Sequence, residues 1–257
     1  MTNALLEVEA LFKRFQGIVA SDNIQLDVAQ GELHAIIGPN GAGKTTLISQ
    51  LAGELTPDSG RIRFAGSDIT ALPTYRRSEL GLARSFQITS LFLDFTTLDN
   101  VALAVQAHAG HSFRFWRNAR RDPQLREPAR AALQRVGLDG RAGVLASKLS
   151  HGEHRQLEIA MALATSPRML LLDEPMAGLG PEESRRMHGL LRELKGALTI
   201  LLVEHDMETV FSLADRITVL VEGRAIVSGA PEAIRGNREV QRAYLGDQDA
   251  ATLPAHS

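Results

Sequence analysis

Three short runs of this chain are apolar at every position: Ala35-Ile36-Ile37, Met169-Leu170-Leu171-Leu172 and Ile200-Leu201-Leu202-Val203. A strand with one wet face alternates apolar and polar residues, so unbroken runs of this length belong to strands covered on both faces. Such strands form the centre of a parallel sheet, with helices packed on either side. Each run also stops on a polar or glycine-rich signal, namely Gly38 to Thr45, Asp173-Glu174 and Glu204-His205. Open α/β sheets bind ligands beyond the carboxyl ends of their strands. The three segments are therefore expected to meet at one site.

Elsewhere the pattern changes. Ile24, Leu26 and Val28 alternate with polar residues, as does Arg61-Ile62-Arg63-Phe64, which predicts short, half-buried antiparallel strands in the first sixty or so residues. The stretch from Leu72 to Ser166 is rich in helix formers and has no comparable buried run, so part of it reads as a helical lobe. Ile217 to Val221, Glu222-Gly223 and Ala225 to Val227 read as a hairpin. The expected organisation is one domain over 1-250, with a helical subdomain at about 88-165 inserted in the core, and a loose tail at 251-257. No repeat of solenoid period interrupts it.

At 257 residues and 44% hydrophobic, the chain can bury a sizeable core and is expected to fold alone. Its net charge of -2 gives no global attraction to polyanions, so no nucleic-acid partner is expected. The absence of cysteine excludes disulfides, thiolate metal sites and cysteine nucleophiles, and is compatible with a reducing compartment. Met1 to Glu9 lacks the basic and apolar regions of a secretory signal. The apolar runs fall far short of the roughly 20 residues that span a bilayer, so membrane association is expected only through a partner.

The segment Gly38-Pro39-Asn40-Gly41-Ala42-Gly43-Lys44-Thr45 fits G-x-x-x-x-G-K-[ST] at every defined position, between a strand and a helical stretch. Glycines let the backbone curl so that several N–H groups face phosphates. Lys44 adds positive charge near the β- and γ-phosphates, and the Thr45 hydroxyl is a ligand for Mg²⁺. Thr46 adds a further phosphate contact. Asp173 ends an apolar strand where a hard carboxylate suits Mg²⁺, usually through water. Glu174 stands at the edge of the same site, as a group that orients or deprotonates the attacking water. Asp-Glu-Pro alone would equally suit a solvated acidic pair; the glycine loop upstream favours the chemical reading.

Ser150 and Glu153, in Leu149-Ser150-His151-Gly152-Glu153, form an S-x-x-E capping box ahead of a helical run through Ala164. By itself this is a capped helix. The same exposed N–H groups and positive dipole end also favour an anion such as a γ-phosphate.

In combination these motifs resemble the ABC ATPase family over nearly the whole chain. The resemblance implies an α/β ABC ATPase fold: a P-loop parallel-sheet core, an N-terminal antiparallel β part and a helical subdomain. It implies ATP and Mg²⁺ as cofactors, with Ser150, Gly152 and Glu153 contacting ATP held by the P-loop of an opposite subunit in a head-to-tail dimer. The commoner signature is Leu-Ser-Gly-Gly-Gln; here His151 and Glu153 replace Gly and Gln. Gln87 matches the glutamine that reaches toward Mg²⁺ and the water, and His205 the histidine that contacts the γ-phosphate. Read alone, either is an ordinary polar residue. Ala177 to Gly180 take the place of the D-loop, without its frequent terminal Asp. Phe15 aligns with the aromatic that stacks on adenine, with Phe12 a nearby competitor. Arg114, Arg117, Arg120, Arg121 and Arg126 surround Phe113, Phe115 and Trp116 in the helical lobe; they are assigned no site.

Within the family, Ala83 to Gln87, the insertion around His108 to Pro128, Val203 to Met207 and the ending Ala243-Tyr244-Leu245-Gly246 look like the ATP-binding subunits of bacterial branched-chain amino-acid importers. That likeness implies a homodimer or a heterodimer with a related ATPase, two transmembrane permeases, and an external binding protein reached indirectly. It also implies a place on the cytoplasmic face of the inner membrane. Three alternatives compete with it: the motor of lipopolysaccharide extraction, which has a similar core and ending; a soluble ABC protein used as a nucleotide-controlled binding module; and a simple P-loop kinase, which would not require Gln87, Ser150 and His205 in this order.

Overall fold

The computed structural model describes residues 4–85, 91–108 and 122–245. In chain order the strands and helices are β1 (Ala4–Phe15), β2 (Ile18–Ala29), β3 (Leu33–Ile37), α1 (Lys44–Ala52), β4 (Ser59–Phe64), β5 (Ser67–Asp68), α2 (Thr74–Glu79), β6 (Leu82–Arg84), α3 (Thr97–His108) and α4 (Pro123–Arg135). They continue with α5 (His151–Leu163), β7 (Met169–Asp173), α6 (Pro181–Leu194), β8 (Thr199–Val203), α7 (Met207–Leu213), β9 (Arg216–Val221), β10 (Arg224–Gly229), α8 (Pro231–Arg235) and α9 (Arg238–Leu245). Two compact units result. The first takes the described residues within Met1–Arg77, Leu171–Glu174 and Leu194–Ser257; the second takes those within Ser78–Leu170 and Pro175–Glu193.

The first unit is built on two sheets. One has the order β2-β1-β4-β5 and is antiparallel. The other runs β10-β9-β3-β8-β7, with β3 parallel to both β8 and β9. Leu33 to Ile37 and Thr199 to Val203 are buried at every position, as expected of strands covered on both faces. The expected C-terminal hairpin forms as antiparallel β9 and β10. The N-terminal strands are longer than the alternation suggests: β1 and β2 each run 12 residues. Their pairing shifts register between Val8 and Leu11, where Ala10 takes a positive φ of 49°. A bulge of this kind breaks the two-residue period and hides the continuity of the strand.

Arg77 is a buried brace in this unit. Its guanidinium donates to the carbonyls of Gln50 and Leu51 at 2.7 Å and to those of Leu72 and Thr70 at 2.8 and 3.0 Å. A cation at the carbonyl end of α1 satisfies acceptors that the helix leaves open. Burial pulls its pKa down to about 10.

Helices dominate the second unit. Asp122 caps α4 by accepting from the Gln124 N–H at 3.0 Å, and Pro123 occupies the first turn, where a missing N–H costs nothing. Arg126 pairs with Asp99 between α4 and α3. A three-residue strand, β6, forms within the stretch that lacked any buried run. It lies beside the start of β7, where Arg168 and Met169 both donate to the Gly81 carbonyl.

Candidate functional site

The three polar segments come together in the first unit. Ile36 of β3 pairs with Val203 of β8, so the two strands end side by side. At that edge the Glu204 N–H reaches the Ile36 carbonyl at 3.4 Å, and the Glu174 N–H donates to the Val203 carbonyl at 2.9 Å. The carboxyl ends of β3, β8 and β7 thus carry Gly38–Thr45, His205 and Asp173-Glu174 along one rim. Glu174 holds a positive φ of 49°. For a residue with a side chain that conformation costs of order 1–3 kcal/mol, and such strain clusters at working sites.

Gly38 through Thr46 wrap the start of α1. A Cβ on Gly38 would fall 2.1 Å from the Leu220 carbonyl oxygen, and one on Gly43 would fall 2.3 Å from that of Ala20. Gly38 and Gly43 are therefore fixed by the backbones of β9 and β2 as well as by the turn. Between them, Pro39 is half-buried, Asn40 and Gly41 are exposed and Ala42 is buried. Gly43 ends the loop with φ 97°, and α1 starts without a side-chain cap. Thr45 is exposed and Thr46 half-buried.

Lys44 is buried to 8% exposure, and its Nζ donates to the Gly38 carbonyl at 2.7 Å and the Pro39 carbonyl at 3.0 Å. Burial lowers its pKa, while the Glu174 and Asp173 carboxylates pull it back up. The ammonium thus shares one field with both acids. Asp173 is half-buried, with its Oδ1 enclosed.

The β9–β10 turn is a contact that sequence reading missed. Gly223 donates to the Ala42 carbonyl at 3.0 Å and accepts from the Asp22 N–H at 2.8 Å, tying the glycine loop to β2. Arg224 and Asp22 add an ion pair at 2.5 Å. Glu222-Gly223 signalled a turn; no local signal says what its tip touches. Phe15 stands at the end of β1 opposite Ile18, 45% exposed beside a 71% exposed Ile18, with the Lys13 ammonium 5.6 Å from its ring centre. Phe12 is less exposed. Since Ala20 abuts Gly43, this hairpin tip lies a few residues from the loop.

His205 projects at 63% side-chain exposure, its Nδ1 3.7 Å from the carboxylate of fully buried Glu204. Gln87 lies outside the described residues, as do most of the Arg/aromatic segment and the tail at 251-257.

Ser150, Gly152 and Glu153 belong to the second unit. Both halves of the capping box form: Ser150 Oγ accepts from the Glu153 N–H at 3.2 Å, and the Glu153 carboxylate accepts from the Ser150 N–H at 2.8 Å. Glu153 also takes a bond from Arg141 at 2.7 Å. Gly152 is buried, and His151, in the place of the commoner glycine, sits with Nε2 3.3 Å from the Ala177 carbonyl. The same unit exposes Phe92, Leu93, Phe95 and Leu145 at 54, 49, 36 and 41%. The Asn100 amide fixes this loop by accepting from the Phe92 N–H at 2.9 Å and donating to its carbonyl at 3.0 Å. Among the described residues no helix is long and apolar enough to cross a membrane.

Comparison with known proteins matches the family described as ABC transporter over residues 21–177, and a branched-chain amino acid ATP-binding cassette transporter family over 226–250. The high-affinity branched-chain amino acid transport ATP-binding protein BraF of Pseudomonas aeruginosa is 38% identical, covering 96% of this chain and 100% of its own. The lipopolysaccharide export system ATP-binding protein LptB of Acidithiobacillus ferridurans is 35% identical, over 95% of this chain and 98% of its own. The ADP conformation of MJ1267, an ATP-binding cassette of an ABC transporter, superposes with a TM-score of 0.84 at 29% identity, covering 95% of this chain and 99% of that one. With that family model matching more than half of its length and a relative 38% identical over 96% of it, the chain belongs to the ABC transporter family of ATP-binding proteins.

Proposed function

We propose that this protein is the ATP-hydrolysing motor subunit of an ABC importer for branched-chain or related amino acids. The observation that carries the chemistry is the shared rim of β3, β8 and β7, which brings Lys44 into one electrostatic field with Asp173 and Glu174. Gly38 to Thr46 cradle the phosphates through backbone N–H groups, and Lys44 exchanges its carbonyl partners for phosphate oxygens. Phe15 stacks on the adenine. The exposed Thr45 hydroxyl and the Asp173 carboxylate are hard oxygen donors that fit Mg²⁺, with Gln87 as a further ligand. Bound there, Mg²⁺ supplies neutralisation of phosphate charge.

Glu174 orients the attacking water and takes its proton as the new oxygen–phosphorus bond forms and the bond to the ADP oxygen breaks. His205 steadies the γ-phosphate. Ser150, Gly152 and Glu153 of a second copy or a related ATPase close the site from the opposite side. Two permease subunits receive the motion, and an external binding protein delivers cargo to them. The exposed patch of Phe92, Leu93, Phe95 and Leu145 suits an apolar permease segment, because a contiguous patch of this kind is seldom left wet. In this reading the protein works at the cytoplasmic face of the inner membrane, held there by the permeases.

Support for the cargo comes from the likeness to BraF, a branched-chain amino acid transport ATP-binding protein, and from the branched-chain amino acid family match over 226–250. The likeness to LptB keeps lipopolysaccharide export as the second reading. Proteoliposomes containing the protein with its co-purified permeases decide between them. ATPase activity is expected to rise with a binding protein loaded with leucine, isoleucine or valine. Stimulation by lipopolysaccharide alone would overturn the amino-acid reading.

A further inference from the structure

Glu183 lies in the first turn of α6, and its carboxylate rests on the start of α5 within the same unit. The Ser150 hydroxyl donates to Glu183 Oε1 at 2.9 Å, and the Gly152 N–H donates to the same oxygen at 3.2 Å. The other oxygen accepts from the Gly180 N–H at 3.4 Å. Hydrogen bonds from Ser150 and Gly180 hold the carboxyl below the ordinary glutamate range, with His151 adding a favourable charge. The approach is close: a Cβ on Gly152 would fall 2.7 Å from the carboxylate carbon and from Oε1.

A serine hydroxyl has one proton to give. Ser150 Oγ already accepts from the Glu153 N–H and spends its proton on Glu183. The Gly152 N–H is directed at the same carboxylate oxygen. A phosphate arriving at this helix end needs these two donors, and two anions cannot share them without repulsion. We propose that Glu183 is an intramolecular competitor for the phosphate-binding groups of the signature helix. It occupies Ser150 and Gly152 in the single chain, and the γ-phosphate carried by a second copy takes those donors only as the carboxylate leaves. Glu183 thereby raises the concentration at which the ATP-bridged dimer forms, and the D-loop that precedes α6 moves with it when it releases.

This inference rests on the composite-site reading above, and its test separates the two. Sedimentation is measured over a range of protein concentrations in Mg²⁺-ATP for Glu174→Gln, Glu174→Gln/Glu183→Ala and Glu174→Gln/Glu183→Gln. Removing the competitor is expected to lower the dimer dissociation constant by about 10-fold in the Ala variant, with a smaller drop in the Gln variant, which keeps an acceptor without the charge. ATP affinity of the isolated chain stays within about twofold, because the P-loop half is untouched. An unchanged or weaker dimer in both Glu183 variants, beside a Glu174→Gln chain that dimerises, overturns the competitor role alone. No ATP-dependent dimer in any of the three chains overturns the composite site and the competitor with it.

Discussion

The starts of α1 and α5 are both suited to phosphate, yet they are built in opposite ways. α1 has no side-chain cap and no acid in its first turn; a glycine in left-handed conformation leads into it. α5 has a complete capping box, with Glu153 in its first turn and Glu183 across its face. A helix end leaves N–H groups without intrahelical partners and with positive potential. At α1 the chain supplies no anion of its own at the cap, so the end is ready for one from outside. At α5 the Glu183 carboxylate already takes the Ser150 hydroxyl and the Gly152 N–H, so in the proposed mechanism an incoming phosphate has to compete. In the proposed mechanism the first end gives standing affinity and the second conditional contact.

The sharpest way to break this contrast is to disable each end in turn. Lys44→Ala is expected to weaken ATP binding by roughly 10- to 100-fold, the worth of a lost charge-assisted contact, and to stop turnover. Because Lys44 is buried on the Gly38 and Pro39 carbonyls, the variant also loses about 1 kcal/mol of stability or somewhat more. Ser150→Arg is expected to leave the ATP affinity of the isolated chain unchanged while abolishing hydrolysis. Equal loss of nucleotide binding in both, read by titration calorimetry, would erase the distinction between the two ends.

A smaller effect sharpens the comparison of the two units. Glu32, in the first unit, would be raised by burial, but bonds from His34, the Ala29 N–H and Arg216 outweigh that and bring it to about 2. Glu158, inside α5, is pushed by burial from 4.5 to about 7 despite its ion pair with Arg155. The signs are opposite. Between pH 4.5 and 7 the folded chain keeps a proton on Glu158 that the unfolded chain has released, so this group's contribution falls as pH rises through that window and is flat above it. The contribution of Glu32 is present above 4.5 and is lost as pH falls toward 2. Denaturant unfolding at pH 5 and 8 is expected to show Glu158→Gln more stable than wild type at pH 8, by roughly 1–3 kcal/mol, with a smaller gap at pH 5. A gap independent of pH would remove Glu158 as the cause.

Local chemistry made much of this legible in the sequence. The unbroken apolar runs are β3, β7 and β8 because full burial leaves no wet face to mark. Their polar endings meet because parallel strands in register end together. The Ser150–Glu153 box was legible because both partners lie within one turn. What escaped depends on contacts distant in sequence: Gly223 on Ala42, Arg77 on the end of α1, and Glu183 on Ser150. Three residues, too few to show a period, make β6, and a bulge at Ala10 conceals the length of β1. Glu183 itself reads as an ordinary acid in a helix's first turn.

The central claim is that nucleotide joins the α1 end of one chain to the α5 end of another, with Glu174 acting only on the water. Glu174→Gln keeps the side-chain shape and removes the base, which is expected to slow hydrolysis by about 10²- to 10⁴-fold while the bound ATP persists. The most direct measurement is the sedimentation of Glu174→Gln in Mg²⁺-ATP and again in ADP. A dimer in ATP that dissociates in ADP, more abundant than in wild type, is the predicted result. A monomer in both nucleotides, from a chain that binds ATP normally, would contradict it.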